Sequence, residues 1–153
     1  MAVHIESVKD FRNALKDRMD IIAHLPGFRT SKYKTTDDYK LTETDTQRAA
    51  KHNVTGITTT ALSKCFCEMD PATLSLIRSN QIANLSLLKA KGVSLVFGSD
   101  DINSTSVAEA IYVSSFGTFS NTESLRILCE STPESIFSKR RIGKLTKGLN
   151  QVI

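Results

Sequence analysis

A chain of 153 residues with 40% hydrophobic and 24% charged side chains has the make-up of a single globular domain, which excludes a disordered polymer and a fibrous repeat. Its net charge of +4 is modest; the densest basic run, Lys139-Arg140-Arg141, reads as a solvated helix end without interleaved aromatics, so nucleic acid is not an expected partner. No apolar run reaches the roughly 20 residues of a membrane span, no signal-peptide layout opens the chain, and the 3 cysteines cannot pair completely within it, so the expected location is a reducing cytoplasm.

Two periodicities then alternate along the chain. Residues 1–5 form a short apolar run, read as a first strand. Ser7 follows as a candidate N-cap, with Val8, Phe11 and Leu15 on one helical face. Residues 19–23 are a second strand, ended by His24-Leu25-Pro26-Gly27. The polar stretch 29–40 lacks periodicity. Thr42 with Asp45 three residues on predicts a capping box and a helix to about residue 51. The β-branched run 54–60 predicts a third strand.

A loop through Cys65 and Cys67 comes next. Cys-x-Cys lacks zinc-knuckle spacing, so both are read as free thiols. Asp70-Pro71 opens a long helix, with Leu74, Ile77, Leu85 and Leu88 on one stripe and Gly92 just past its end. Residues 93–97 predict a fourth strand, closed by Gly98-Ser99-Asp100-Asp101. Helical patterns cover 107–116 and 123–129, and a last short helix opens at Thr132-Pro133, with Thr132 as its N-cap.

Strand and helix thus alternate four times, which predicts α/β architecture with parallel strands joined by right-handed crossovers. Such units build either a small open sheet of flavodoxin type or half of a TIM (β/α)8 barrel, and periodicity leaves both open.

Chemistry in parallel α/β folds collects at the carboxyl ends of strands, where the loops share one mouth. His4 ends the first strand, His24 the second, Thr58-Thr59-Thr60 the third and Asp100 the fourth. Two imidazoles and a carboxylate suit a divalent ion with an open coordination position. Each has a plainer reading: His4 as a surface residue, His24 as a turn former, Asp100 as the N-cap of the next helix. Their joint placement favours the site. His52, at a helix end, is read as structural.

The words of the sequence also carry a resemblance. Val3-His4 with Asp10-Phe11-Arg12, the run from Asp20 to Gly27, Val54-Thr55-Gly56-Ile57, and Gly92-Val93 leading into Gly98-Ser99-Asp100 resemble strands five to eight of amidohydrolase-superfamily barrels of the imidazolonepropionase-like group. Thr132-Pro133 and then Arg141-Ile142-Gly143 resemble the return to the small sandwich domain of those enzymes. The resemblance implies a C-terminal half-barrel over 1–140 and a connector over 141–153.

It also implies a metal-dependent hydrolase acting on C–N bonds of small amide-type substrates. His4, His24 and Asp100 would be metal ligands, and Asp100 the catalytic general base. The ion implied is divalent, Zn first, with Fe or Mn as alternatives. The family's first-strand His-x-His is not in this chain. An incomplete site and a bare half-barrel are therefore expected, which would self-associate or join a complementary N-terminal half. The competing expectations are a non-catalytic assembly module and an unrelated open-sheet binder with Asp100 as a cap.

Overall fold

The computed structural model describes residues 1–27, 36–65, 70–137 and 139. The chain runs β1 (Ala2–His4), α1 (Val8–Lys16), β2 (Ile21–Ala23), a 3₁₀ turn (Thr36–Tyr39), α2 (Glu43–Lys51), β3 (Thr55–Thr58), a second 3₁₀ turn (Thr60–Cys65) and α3 (Pro71–Ala90). Then come β4 (Ser94–Phe97), α4 (Ser106–Ser114), α5 (Asn121–Arg126), a π turn (Ile127–Ser131) and α6 (Thr132–Ile136).

The four strands are parallel and lie in the order β1-β2-β3-β4. This order decides between the two architectures that periodicity leaves open. A doubly wound sheet reverses its order at a switch point. Here each strand adds beside the last, so successive right-handed crossovers place their helices on one face. The fold is a half-barrel of parallel βα units.

Burial follows that geometry. Ile22, Leu95 and Phe97 face the helices and join Phe11, Leu15, Leu85 and Leu88 in one core. The opposite face runs through Ala2, His4 and Ser94, which are exposed, and Ile21, Ala23, Thr55 and Ile57, which are half-buried.

Local sequence explains the helix starts. Ser7 accepts from the Asp10 N–H and Asp10 accepts from the Ser7 N–H, a complete capping box on α1; Thr42 and Asp45 repeat it on α2. Asp70 accepts from the Ala72 and Thr73 N–H groups at the start of α3, with Pro71 in the first turn. The helix-to-strand turns bring their strands in late, so each strand is shorter than its apolar run.

Two expectations at the C-terminal side need correction. Thr132 is not an N-cap. The preceding Ser131 is already helical (φ −67°, ψ −40°), and the Thr132 hydroxyl instead accepts from the Phe97 N–H (3.1 Å) and donates to the Ile127 carbonyl (2.8 Å). Nor does the α-helix expected over 123–129 persist, since α5 widens into the π turn after Arg126. Pro133 has no N–H to return to that turn, which is where a wider helical geometry is tolerated. The expected free thiol at Cys67, much of the stretch 29–40 and the connector 141–153 lie outside the described residues.

Candidate functional site

The strand ends deliver the site residues to one rim. The sheet register sets His4 beside Ala23, and Ala23 beside Ile57, so β1, β2 and β3 finish at one level. Gly98 extends β4 by one residue through its N–H to the Thr58 carbonyl (2.8 Å). Any Cβ there would stand 2.6 Å from the Ile57 Cγ2, which explains the glycine ahead of Ser99-Asp100. Neither His24 nor Asp100 continues its strand. Both adopt left-handed backbone, at φ 63° and 65°, a conformation costly for residues with a Cβ.

That turn joins them. His24 is buried, and its Nε2 lies 3.2 Å from Oδ2 of the half-exposed Asp100. Its Nδ1 meets the Thr59 hydroxyl at 2.5 Å. The His4 ring packs on the His24 ring at 4.2 Å between centroids, tilted by 47°. Burial lowers the His24 pKa from its ordinary value; Asp100 opposes this and His4 adds to it, so the imidazole is neutral at neutral pH. The three residues singled out in the sequence therefore meet. Asp100 is no helix cap, since α4 is capped by Thr105. His52 ends α2 at the opposite rim, the structural place expected of it.

The donor set partly fits a divalent ion. One His24 nitrogen is tethered to a hydroxyl while the other faces a carboxylate, the arrangement of a metal-binding imidazole whose second nitrogen is held in place. Two ligands about 2.0–2.1 Å from one tetrahedral ion stand about 3.3–3.4 Å apart, close to the His24–Asp100 spacing. His4, however, offers its ring face to His24. Among the described residues no group of three or more His, Cys, Asp or Glu side chains is placed to hold an ion. The pair fits as two ligands of an incomplete set.

Several rim residues were not visible as such in the sequence. Asn84 of α3 donates to the Pro26 and Tyr39 carbonyls (2.7 and 2.8 Å) and accepts from the Leu41 N–H (2.8 Å), tying down the loop after β2. Gln81 donates to the Thr60 carbonyl (3.0 Å). The Glu109 carboxylate of α4 accepts from the N–H groups of Thr60 and Ala61 and from the Thr60 hydroxyl, at 2.6–2.7 Å. All three are buried. The signal that could have found them is their position, polar residues within otherwise apolar helical stripes.

A cavity of about 30 Å³, lined by Thr59, Ser99, Asp101 and Glu109 among others, lies next to the pair and has room for roughly one water. Hollows of about 400 and 390 Å³, a size that takes a small molecule, lie elsewhere, one by Arg18 and His52 and one between α4 and α5.

No protein-family model matches the chain, and no curated protein matches it in sequence. Among solved structures it is similar to two crystal structures, one described as an uncharacterized protein and one as a prolidase complexed with N-methylphosphonate-L-proline. Each is 18% identical, with a TM-score of 0.63, over 97% of this chain and 36% of the other. The chain thus spans about a third of the length of those proteins, and a likeness at this identity shows the fold alone. No described helix is long and apolar enough to cross a membrane.

Proposed function

We propose that this chain is the half of a metal-dependent amidohydrolase barrel that carries the general base, and that the complete site hydrolyses C–N bonds of amide-type substrates. One observation carries the reading. A neutral, buried imidazole and a carboxylate 3.2 Å apart, each on left-handed backbone, are turned towards each other at the carboxyl rim, with a second imidazole beside them. The prolidase description of a structural neighbour supports a peptide-like amide as the substrate class.

A bound divalent ion, Zn by preference and Fe or Mn otherwise, would supply water of lowered pKa. His24 and Asp100 would hold it, with His4 as a further donor once its ring turns. Asp100, half-exposed at the mouth, would take the proton from the attacking water and return it to the leaving nitrogen.

Equilibrium dialysis against Zn tests the binding step. Retention above about a tenth of an equivalent, lost in His24→Ala, is the expected result. The catalytic step is tested by mixing the chain with a polypeptide carrying the complementary strands and assaying dipeptide hydrolysis. Asp100→Asn should lower the rate by about 10²–10⁴-fold. A mixture that assembles yet hydrolyses nothing, with Asp100→Asn no different, would sink the enzymatic reading.

The half-exposed sheet face favours one second reading, a non-catalytic half-barrel that pairs with its own copy or with a complementary half. Oligomeric state measured without a partner separates the two.

A further inference from the structure

The wall behind the site contains a group that the proposed chemistry does not use. Glu109 is 1% exposed and accepts three hydrogen bonds from the first two residues of the turn after β3, at 2.6–2.7 Å. Among the described residues no cation pairs with it. A carboxylate buried without a counter-ion is costly, and here only the start of a 3₁₀ turn, whose N–H groups favour negative charge, offsets that cost. An apolar residue would fill the space more cheaply. What the carboxylate fixes is a short piece of backbone.

Next to that backbone is Thr59, whose hydroxyl touches His24 Nδ1. A neutral imidazole has one N–H and one lone pair. With Asp100 Oδ2 facing Nε2, the N–H belongs on Nε2, so Nδ1 accepts and the Thr59 hydroxyl donates. A shift of the turn by a fraction of an ångström would break that contact and free the ring to adopt either tautomer.

We infer that Glu109 is a positioning residue: by anchoring Thr60 and Ala61 to α4, it holds the Thr59 hydroxyl on His24 Nδ1 and so fixes which His24 nitrogen carries the proton. The inference rests on the reading of His24 as a working imidazole, and its test does not need turnover. Gln81, which grips the Thr60 carbonyl from the other side, holds the same residue but offers no charge to its N–H groups.

The test uses the full chain with ¹⁵N-labelled histidine, chelator-treated, at about pH 8 where imidazoles are neutral. The two ring nitrogens are read by long-range ¹H–¹⁵N correlation, and His24 is assigned by its loss in His24→Ala. The expected result is one dominant Nε2–H tautomer in the parent. Glu109→Gln should redistribute the tautomers by about three- to tenfold, the worth of one net hydrogen bond. Thr60→Val, which removes a single donor, should give a smaller shift in the same direction and decides the matter if Glu109→Gln does not fold. Val113→Ala, a buried cut on the same helix, should lower the melting temperature and leave the tautomer alone. If the folded Glu109 or Thr60 variants keep the parent's nitrogen signals, or Val113→Ala shifts them equally, Glu109 is a packing residue and the inference fails. Failure of amide hydrolysis in every variant would count against the proposed function and leave this result standing.

Discussion

At the amino end of the sheet, three helices stop in the same way. After α1, Arg18 takes φ 54°, and the N–H groups of Arg18 and Met19 return to the Leu15 and Ala14 carbonyls at 3.3 and 3.0 Å. After α2, Asn53 (φ 54°) and Val54 return to Ala50 and Ala49; after α3, Gly92 (φ 72°) and Val93 return to Lys89 and Leu88. Each is a Schellman stop that recovers two helix carbonyls and releases an apolar residue towards the next strand. At the carboxyl end, His24 and Asp100 adopt the same backbone with no helix to finish and no carbonyls to recover. Their conformation aims two side chains at each other. The same strain is structural at one rim, and at the other it marks the candidate site.

The comparison is sharpened most strongly by alanine at two glycines. At the carboxyl rim, Gly98→Ala forces a Cβ to 2.6 Å from the branched Ile57 Cγ2, where the sheet cannot yield. The expected loss is about 1–3 kcal/mol. At the amino rim, Gly92→Ala meets nothing within 4 Å and carries only the left-handed penalty, about 1 kcal/mol. Thermal melts followed by circular dichroism measure both. Equal losses would show that close packing does not distinguish the rims.

Acid should act on one rim more than the other. The helix starts share the carboxyl rim with the site, and their caps include Asp10, Asp45 and Asp70. Burial works to raise the Asp45 pKa, but the Arg12 guanidinium, at 2.7 and 2.9 Å, together with the Thr42 hydroxyl and N–H, holds it below the ordinary carboxylate range. A depressed carboxyl contributes stability that is present above its unfolded pKa, about 3.9, and lost as pH falls through the lower folded value. Asp45→Asn should therefore cost about 1–2 kcal/mol at pH 7 and flatten the stability decline below about pH 4. If the decline is unchanged, other carboxylates govern the acid limb.

The same contrast explains what the sequence made legible. Ser7 with Asp10, Thr42 with Asp45, and Asp70-Pro71 with Gly92 are local signals. They concern hydrogen bonds within three or four residues, and each appears where expected. The meeting of His4, His24 and Asp100 was legible because parallel strands deliver their ends to one rim whatever the loops do. Arg18 and Asn53 were not read as helix stops, because that signal is expected from glycine. Asn84, Gln81 and Glu109 were missed for another reason. Their partners lie 21 to 58 residues away, and polar residues on a helix read as its wet face. Thr132 was misread because the pattern Thr-Pro fits a cap, and only the nearby Phe97 N–H shows its other use.

The smallest effects discriminate most finely, because they separate strain from function. Arg18→Gly removes a Cβ from left-handed backbone and should stabilise the chain by about 0.5–1 kcal/mol; Asn53→Gly should give only a few tenths, since Asn tolerates that conformation. Neither touches the rim that binds. Asp100→Gly should stabilise by a similar 0.5–1 kcal/mol, because the carboxylate is half-exposed and its neighbour His24 is neutral. That variant should also lose the Zn retained in dialysis, whereas Arg18→Gly keeps it. Gains at both ends with binding lost at only one would identify the strain at Asp100 as the cost of a site. If Asp100→Gly is destabilising, the residue is held there by structure, and the distinction between the two rims collapses.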